Sequence, residues 1–266
     1  MGTLSLVART ARYALNEEPP VDKVLVPPLL NFSEHALFLD YDGTLAEIAA
    51  TPGEAVPDAG LPGLLARLEE RLDGALAIVT GRPVADIDGF LHPLRLTVAG
   101  LHGLTLRRSD GSVVAPDGSG AALDPVREAF SAFTVEHPGT NVEDKGLSVA
   151  LHFRGAPSSS AAADALARRI AAEEGRLKLQ RGKMVVELLP AGTDKGTAIA
   201  ALMTERPFVS RRPVFVGDDI TDEAGFVTVN GQGGMSVRVG SGPTAARFQL
   251  RDTVAVQEWL RQGLGA

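Results

Sequence analysis

The chain has 266 residues, of which 44% are hydrophobic and 22% charged, and a formal net charge of −7. These values are ordinary for a globular protein with one large domain or with a core and a smaller domain. The negative charge, without any basic stripe, excludes a general nucleic-acid-binding surface. The absence of cysteine excludes disulfides, thiolate-bound metals and cysteine nucleophiles. No stretch is long and apolar enough to span a bilayer or to act as a signal peptide, so we expect a cytoplasmic protein without a membrane partner.

The first part of the chain predicts strands that alternate with helices. Residues 1–30 are broken by proline pairs and are interpreted as an N-terminal extension. Beyond them, apolar runs typical of buried strands alternate with segments of helical periodicity. The predicted order is strand 36–40, helix 61–73, strand 75–80, helix 83–91 and strand 94–99. This alternation indicates a parallel sheet with right-handed crossovers.

The middle of the chain has a different pattern, in which helices precede pairs of strands. Asp110 and Gly111 form a two-residue turn signal between strand candidates at 105–108 and 112–115. Two helix–strand–strand units follow, with helices at 123–136 and 159–174, strands at 141–144, 147–154, 177–180 and 183–188, and turns at Lys145-Gly146 and Arg181-Gly182. Such units predict a small antiparallel sheet that is open on one face.

From Lys195 the parallel pattern resumes. The predicted order is helix 195–204, strand 213–216, helix 221–229, strand 236–239 and helix 252–262. The simplest interpretation is an α/β fold with one parallel-sheet core, residues 31–118 and 191–266. This core would be interrupted by an inserted α+β cap domain at residues 119–190.

The first candidate catalytic motif is Asp40-Tyr41-Asp42-Gly43-Thr44, directly after the first strand. Two carboxylates that are two residues apart diverge from one turn, so one can attack a substrate while the other transfers protons. The same residues could instead cap a helix or form part of a calcium-binding loop. The motif alone therefore leaves both catalysis and calcium binding open.

Two further motifs supply hydrogen-bond donors. Thr80 and Gly81 follow the second core strand, where the Thr80 hydroxyl could donate to a phosphate oxygen, although a Thr-Gly pair is also typical of a simple turn. Lys195 stands at a predicted helix start, from which its ammonium group could reach a phosphate and a carboxylate together. The alternative for Lys195 is a solvated side chain on the first helical turn.

The fourth motif is a cluster of acids, Asp218, Asp219 and Asp222, after the strand at 213–216. Adjacent carboxylates repel each other and need a cation, and such oxygen ligands suit Mg²⁺. Helix capping is an alternative that fits Asp222 but not the whole group. All four motifs lie at the carboxyl ends of predicted core strands or at the helix start beside them, where open parallel sheets place their sites.

In this order the four motifs resemble those of the haloacid dehalogenase (HAD) superfamily of phosphotransferases. The resemblance implies a HAD-like Rossmannoid parallel-sheet core with an inserted cap. It implies that Asp40 is the nucleophile and that Asp42 is first the general acid and then the general base. It also implies that Thr80 binds the transferring phosphoryl group and that Lys195 steadies Asp40.

The same resemblance implies a magnesium cofactor. Asp40, the backbone carbonyl of Asp42 and Asp218 would hold the ion, and Asp219 and Asp222 would support it. A carboxylate can approach a dianionic phosphate only when negative charge is neutralised, which is the contribution expected of the ion.

Further segments resemble the trehalose-6-phosphate phosphatases within this superfamily. The match includes Gly100-Leu101-His102-Gly103 and the cap segments Glu143-Asp144-Lys145-Gly146-Leu147-Ser148, His152-Phe153-Arg154, Gly182-Lys183 and Glu187-Leu188. The resemblance implies a substrate-binding set: Thr44, Gly81, Arg82, His102, Glu143, Lys145, Arg154, Lys183 and Glu187. Without it, the charged cap residues would be interpreted as pairs across an exposed sheet. One departure from the family pattern is Leu189, which stands before Pro190 where an arginine is frequent.

The resemblance implies Mg²⁺-dependent hydrolysis of trehalose 6-phosphate, a small sugar phosphate, through an aspartyl-phosphate in trehalose biosynthesis. A trehalose-6-phosphate synthase would then be a partner in the same pathway. Two alternatives stay open. One is a phosphatase for another sugar phosphate, such as sucrose phosphate or mannosyl-3-phosphoglycerate. The other is a sensor that binds a sugar phosphate without turnover, against which the presence of both Asp40 and Asp42 argues.

Overall fold

The computed structural model describes residues 25–48, 58–115 and 123–265. Residues 1–24 of the predicted N-terminal extension and the predicted boundary between 118 and 119 lie outside these ranges. Within them, no helix is long and apolar enough to cross a membrane. The described segments form one sheet of eight strands and one of four.

Strands and helices are numbered in chain order over the described ranges. The strands are β1 (His35–Leu39), β2 (Leu76–Val79), β3 (Thr97–Gly100), β4 (Thr105–Arg107), β5 (Val113–Val114), β6 (Asn141–Asp144), β7 (Val149–His152), β8 (Leu177–Gly182), β9 (Val185–Pro190), β10 (Arg212–Gly217), β11 (Met235–Val239) and β12 (Phe248–Leu250). The helices are α1 (Leu61–Arg71), α2 (Val84–Leu91), α3 (Asp124–Glu136), α4 (Ser160–Glu174), α5 (Lys195–Leu202), α6 (Glu223–Gly231) and α7 (Thr253–Gly263).

The eight-stranded sheet has the order β12-β11-β10-β1-β2-β3-β4-β5. Its first six strands are parallel, and β4 and β5 extend it antiparallel at one edge. The central strand β1 is buried on both faces, with Leu37, Phe38 and Leu39 inaccessible to solvent, which explains its continuous apolar run. The predicted parallel-sheet core is confirmed, and the predicted hairpin at Asp110 and Gly111 belongs to its edge. The short β12 lies outside the predicted strands, because three residues carry too little periodicity.

The helices of the core pack through apolar faces. α1 buries the face that its periodicity predicts: Leu61, Leu64, Leu65 and Leu68. α5 and α6 approach closely because Gly196 has no side chain, and a Cβ there would lie 2.5 Å from the carbonyl oxygen of Ala224. This packing holds the first turn of α5, and with it Lys195, beside Asp40.

The four-stranded sheet has the order β6-β7-β9-β8 and is antiparallel throughout. One face packs against α3 and α4 in a separate hydrophobic cluster that includes Phe130, Leu151 and Ile170. Polar and charged side chains of the same strands line a cavity, since alternate residues of a strand face opposite sides. This arrangement confirms an inserted α+β cap. β9 ends at Pro190, and the division of the chain into domains at 190 stays a prediction.

The turn between β8 and β9 differs from the predicted one. Gly182 pairs with Val185, so the turn consists of Lys183 and Met184, two positions beyond the predicted pair. Met184 has a positive φ of 66°. Glycine at 182 instead permits a close approach, since a Cβ there would lie 2.9 Å from Val185 and 3.2 Å from the carboxylate of Asp219. The tip of this hairpin therefore contacts the core.

Candidate active site

The predicted catalytic residues meet at the carboxyl ends of adjacent strands. Asp40 directly follows β1, Thr80 follows β2, and Asp218 follows β10. Since β10, β1 and β2 are parallel neighbours, their carboxyl ends share one edge of the sheet, the usual place for a site in an open α/β fold. Lys195, the first residue of α5, completes the group.

Lys195 links two carboxylates in the interior. Its Nζ donates hydrogen bonds to Asp40 Oδ1 at 2.7 Å and to Asp222 Oδ1 at 2.5 Å, and all three side chains are at most 5% exposed. Burial by itself would lower the pKa of Lys195, but the charges of Asp222 and Asp40 raise it above its usual range. The ammonium group therefore stays protonated and offsets negative charge on Asp40.

Asp222 fixes the loop that carries the other acids. Its second oxygen, Oδ2, accepts hydrogen bonds from the backbone N–H groups of Asp218 and Asp219, each at 2.9 Å. Both oxygens of Asp222 are thus engaged by protein donors. This geometry suits a supporting role for Asp222 better than direct coordination of a metal.

Asp40 and Asp218 form the part of the cluster that could hold a cation. Carboxylate oxygens of Asp40, Asp218 and Asp222 lie within 4.8 Å of one another, and Oδ1 of Asp218 is buried without a hydrogen-bond partner in the described ranges. Burial and the charge of Asp222 raise the pKa of Asp218 to about 7. Burial also raises the pKa of Asp40, although Lys195 opposes this shift. Buried carboxylates that repel each other, with one oxygen unsatisfied, suit a hard divalent cation such as Mg²⁺.

The turn after β1 is shaped by Gly43 and Thr44. Gly43 has a φ of 77° in the left-handed region, and a side chain there would collide with the carboxylate of Asp218, so glycine is needed on both counts. Thr44 is inaccessible to solvent, and its hydroxyl has no hydrogen-bond partner within the described part of the chain. The structure therefore does not bring Thr44, a predicted substrate-binding residue, to the cavity, because the tight turn directs its side chain inward.

Asp42 is paired with Arg82. Nε and Nη2 of Arg82 donate to Oδ2 and Oδ1 of Asp42, both at 2.6 Å. The guanidinium group lies over the ring of Phe90, 4.9 Å from its centroid. Arg82, which the resemblance assigned to substrate, thus binds Asp42 at the cavity wall. The carboxylate of Asp42 stands apart from the acidic cluster, so only its backbone carbonyl is a candidate metal ligand.

Thr80 and His102 lie where β2 and β3 end. Thr80 Oγ1 accepts a hydrogen bond from the backbone N–H of Arg82 at 3.2 Å, which leaves its hydroxyl proton available for a ligand. His102 has φ 56° and ψ 32°, and its ring rests on Gly81, where a Cβ would lie 2.6 Å from Nε2. Burial lowers the pKa of His102, so the imidazole is neutral near pH 7.

Glu187 is the centre of a buried polar cluster between cap and core. Lys145 Nζ lies 3.3 Å from both of its carboxylate oxygens, Ser148 Oγ donates at 2.5 Å, and His102 Nε2 lies 3.4 Å away. Lys145 also donates to the backbone carbonyl of Gly81 at 3.1 Å. Burial would raise the pKa of Glu187, but Lys145, His102 and Ser148 hold it well below its usual range. These contacts join the cap strands to the core.

Glu143, Arg154 and Lys183 contribute cap side chains to the cavity. Glu143 Oε2 lies 2.8 Å from Nε2 of His152. Arg154 and Lys183 are exposed and have no ion-pair partner among the residues that the structure describes. These two cations are therefore available to an anionic or hydroxylated ligand.

Three further lining residues, Asn141, His152 and Gln180, were not predicted from the sequence. Asn141 precedes Glu143 by two positions on β6, so both face the same side of the sheet. Asn141 is in register with His152, and Gln180 with Glu187. Strand alternation combined with hairpin register could therefore have identified all three.

Core and cap residues together enclose a cavity of about 570 Å³, within the range of small-molecule sites, about 300–1,000 Å³. Asp40, Asp42 and Asp218 line it from the core. Leu189, the departure from the family pattern, is buried instead in a small apolar cluster with Leu101 and Leu104. An apolar residue suits that position, because no part of it reaches the cavity lining.

Comparisons with known proteins give a consistent result. A family model described as trehalose-phosphatase matches residues 38–254. The trehalose-6-phosphate phosphatase of Escherichia coli (strain K12) is 44% identical over 232 residues, which cover 86% of this chain and 86% of that protein. The bifunctional trehalose-6-phosphate synthase/phosphatase of Thermoproteus tenax is 36% identical over 268 residues, which cover 96% of this chain and 35% of that protein.

Solved structures of known proteins also match this chain. The crystal structure of a trehalose-6-phosphate phosphatase related protein matches with a TM-score of 0.72 and 33% identity, covering 85% of this chain and 95% of that one. A phosphatase of the haloalkanoate (HAD) enzyme superfamily from Bacteroides thetaiotaomicron matches with a TM-score of 0.61 and 16% identity, and the match covers 95% of this chain and 100% of that one. At that identity the likeness concerns the fold alone, and it confirms a HAD-like core.

Proposed function

The chain belongs to the trehalose-phosphatase family, and from this membership we propose that it hydrolyses trehalose 6-phosphate through an aspartyl-phosphate on Asp40. Membership of this family makes the chain a phosphoric monoester hydrolase. The identity of the substrate, the metal ion and the covalent intermediate are what we propose. The hydrogen bond of 2.7 Å between Lys195 Nζ and Asp40 Oδ1 supports the covalent step most, because it neutralises a buried carboxylate at the cavity edge.

In the first step, an oxygen of Asp40 attacks the phosphorus atom and the bond between phosphorus and the sugar oxygen breaks. Asp42 gives a proton to the departing oxygen, so trehalose leaves as a neutral alcohol. Lys195 stabilises the charge on Asp40, and Thr80 donates its hydroxyl proton to a phosphoryl oxygen. The products are trehalose and an acyl phosphate on Asp40.

In the second step, the ionised Asp42 takes a proton from a water molecule whose oxygen attacks the phosphorus. The bond between phosphorus and the Asp40 oxygen breaks, which releases phosphate. Asp42 is protonated again and Asp40 is again a carboxylate, so both residues return to their starting states. One pair of carboxyl groups thus serves both halves of the reaction.

Asp40, the backbone carbonyl of Asp42 and Asp218 are the proposed ligands of Mg²⁺, with Asp219 and Asp222 in support. When bound, the ion supplies positive charge that offsets the repulsion between carboxylates and a phosphate dianion. The buried, unsatisfied Oδ1 of Asp218 supports this assignment.

The cap residues are proposed to bind the sugar hydroxyls. Glu143 offers a carboxylate, and the exposed Arg154 and Lys183 offer cationic donors, which suits a ligand rich in hydroxyl groups. Glu187 and Lys145 are already bonded to each other, so they would add hydrogen bonds to the sugar from fixed positions. A synthase that forms the sugar phosphate is the proposed pathway partner, supported by the two activities named together in the Thermoproteus tenax relative.

Phosphate release from a panel of sugar phosphates tests the proposal. With Mg²⁺ present, kcat/KM should be higher for trehalose 6-phosphate than for sucrose phosphate or mannosyl-3-phosphoglycerate. Chelation should abolish the activity, and so should Asp40→Asn, while the variant keeps the unfolding transition of the wild type. Acid-quenched wild-type protein should carry labelled phosphate, and Asp40→Asn should carry none.

Each alternative function has its own outcome in this experiment. A higher kcat/KM for another sugar phosphate would change the substrate and leave the mechanism. Tight binding of trehalose 6-phosphate without phosphate release would indicate a sensor. Substantial phosphate release by Asp40→Asn would contradict the aspartyl-phosphate.

A further inference from the structure

We propose that Arg82 is a positioning residue, which holds the carboxyl group of Asp42 in the orientation that proton transfer requires. The inference rests on the proposed function, in which Asp42 exchanges protons with the leaving oxygen and with water. It gives Arg82 a role that acts through Asp42, and not through the sugar or the phosphate.

The first support is the geometry of the pair. Arg82 and Asp42 are 40 residues apart in the chain and stand after neighbouring parallel strands, β2 and β1. Nε and Nη2 of the guanidinium group each donate at 2.6 Å to a different oxygen of the carboxylate. Two parallel hydrogen bonds fix the plane of the carboxylate as well as its distance.

The second support is the rigidity of Arg82 itself. The residue is only 9% exposed, and its guanidinium carbon lies 4.9 Å from the centroid of Phe90 and 5.8 Å from that of Tyr41. These two rings are stacked on each other, 5.4 Å apart and at 7°. Nη1 is 3.9 Å from Asp86. A cation held over aromatic rings in this way is a fixed reference for Asp42.

The third support is the chemistry that the pair still permits. Asp42 lines the cavity, and its side chain is 33% exposed. Each carboxylate oxygen has two lone-pair directions, so the bond to Arg82 leaves one direction on each oxygen. A general acid must come within about 2.6–3.2 Å of the atom that receives its proton. Without Arg82 the Asp42 side chain could rotate, and this alignment would be lost.

The test measures how the rate depends on the leaving group. Aryl phosphates carry no sugar, and their leaving groups can be ordered by how much they need protonation. p-Nitrophenol departs readily as its anion, whereas phenol needs a proton from a general acid. Arg82→Met keeps an unbranched side chain against Phe90 but removes the guanidinium group and with it both hydrogen bonds to Asp42. Its kcat/KM should fall roughly tenfold to a hundredfold on phenyl phosphate and much less on p-nitrophenyl phosphate, the signature of impaired general acid catalysis.

A double-mutant cycle with Asp42→Asn makes the test specific. Asp42→Asn should show the same dependence on the leaving group. The double variant Arg82→Met/Asp42→Asn should be no slower than Asp42→Asn alone, because Arg82 acts only through the missing carboxyl group. Arg82→Lys keeps the positive charge but cannot form the two parallel hydrogen bonds. Its kcat/KM on phenyl phosphate should therefore lie between those of wild type and Arg82→Met. It also provides the measurement if Arg82→Met does not fold.

Arg108→Met is the matched control. Arg108 forms the same forked pair with Glu205, at 2.6 and 2.8 Å, outside the cavity lining, and its removal should leave the leaving-group dependence unchanged. Equal losses on all aryl phosphates in Arg82→Met, or additive losses in the double variant, would overturn the inference while the proposed function stands. A wild-type protein that is inactive on every phosphomonoester would overturn both.

Discussion

Glu187 is 4% exposed and nevertheless ionised, because Lys145, Ser148 and His102 surround its carboxylate. Burial acts against this charge, and the three partners lower the pKa below its usual range. A carboxylate whose pKa is lower in the folded than in the unfolded chain stabilises the fold above the unfolded pKa. That contribution is lost as the pH falls towards the folded pKa. A residue proposed to bind sugar therefore also stabilises the fold.

Glu187→Gln is expected to lower the free energy of unfolding at pH 7 by roughly 1–3 kcal/mol, because buried donors lose an ionised acceptor. The difference from wild type should shrink below about pH 4.3, where the unfolded glutamate becomes protonated. Urea denaturation over a series of pH values measures it. Glu205→Gln, in a pair whose two side chains are 31% and 37% exposed, is the control and should have a much smaller effect. A difference that does not vary with pH would show that the charge of Glu187 is not its source.

Two helical glycines show how the same residue serves different purposes in different elements. Gly89, in α2, is exposed, and a Cβ there would contact nothing within 4 Å. Gly196, in α5, packs against α6, where a Cβ would lie 2.5 Å from both the Ala224 carbonyl oxygen and Thr228 Oγ1. Gly89 thus only weakens its helix, whereas Gly196 permits the packing that places Lys195.

Gly89→Ala is expected to stabilise the protein by about 0.5–1 kcal/mol, because alanine loses less backbone entropy in a helix. Gly196→Ala should destabilise it by roughly 1–3 kcal/mol, because α5 and α6 must move apart. It should also lower kcat, since Lys195 would move with its helix. Thermal unfolding and phosphate release measure the matched pair. A stabilised and fully active Gly196→Ala would contradict the role of this packing.

At the scale of the whole molecule, the core carries the candidate phosphate chemistry and the cap carries the candidate sugar contacts. The two parts meet at the Lys145 bond to Gly81, at the contact between Glu187 and His102, and at the hairpin glycine Gly182. Enclosure by a cap keeps competing water from a phosphoenzyme and brings binding residues to the substrate. Sugar recognition and chemistry should therefore be separable by mutation.

Glu143→Ala is expected to lower kcat/KM for trehalose 6-phosphate tens- to thousands-fold, roughly 1–4 kcal/mol of lost hydrogen bonding. Activity on p-nitrophenyl phosphate should change much less, because that ester makes no sugar contacts. Lys195→Ala, in the core, should lower both activities together. Measuring both substrates in both variants decides the matter. Equal losses on the two substrates in Glu143→Ala would mean that Glu143 supports cap closure or folding.

The sequence by itself determined the features that depend on neighbouring residues. The apolar run that ends in Asp40 predicted a buried central strand, and leucine spacing predicted the buried face of α1, because both patterns reflect local backbone geometry. The order of four short motifs predicted, by resemblance, the HAD-like core, and it placed Asp40, Thr80 and Asp218 together at one edge of the sheet. The physical reason is that parallel strands align their carboxyl ends whatever lies between them.

Only the tertiary structure decided how individual side chains are used. It paired Arg82 with Asp42 across 40 residues, turned Thr44 inward, and placed His152 beside Glu143. It also showed that the β8–β9 turn consists of Lys183 and Met184 and not of the predicted Arg181 and Gly182. The reason is that strand register, and not the position of the nearest glycine, determines which residues form a hairpin loop. The Arg82–Asp42 pair depends on packing between two segments that are distant in the chain. The other features depend on backbone turns and strand register, which residue types alone do not specify.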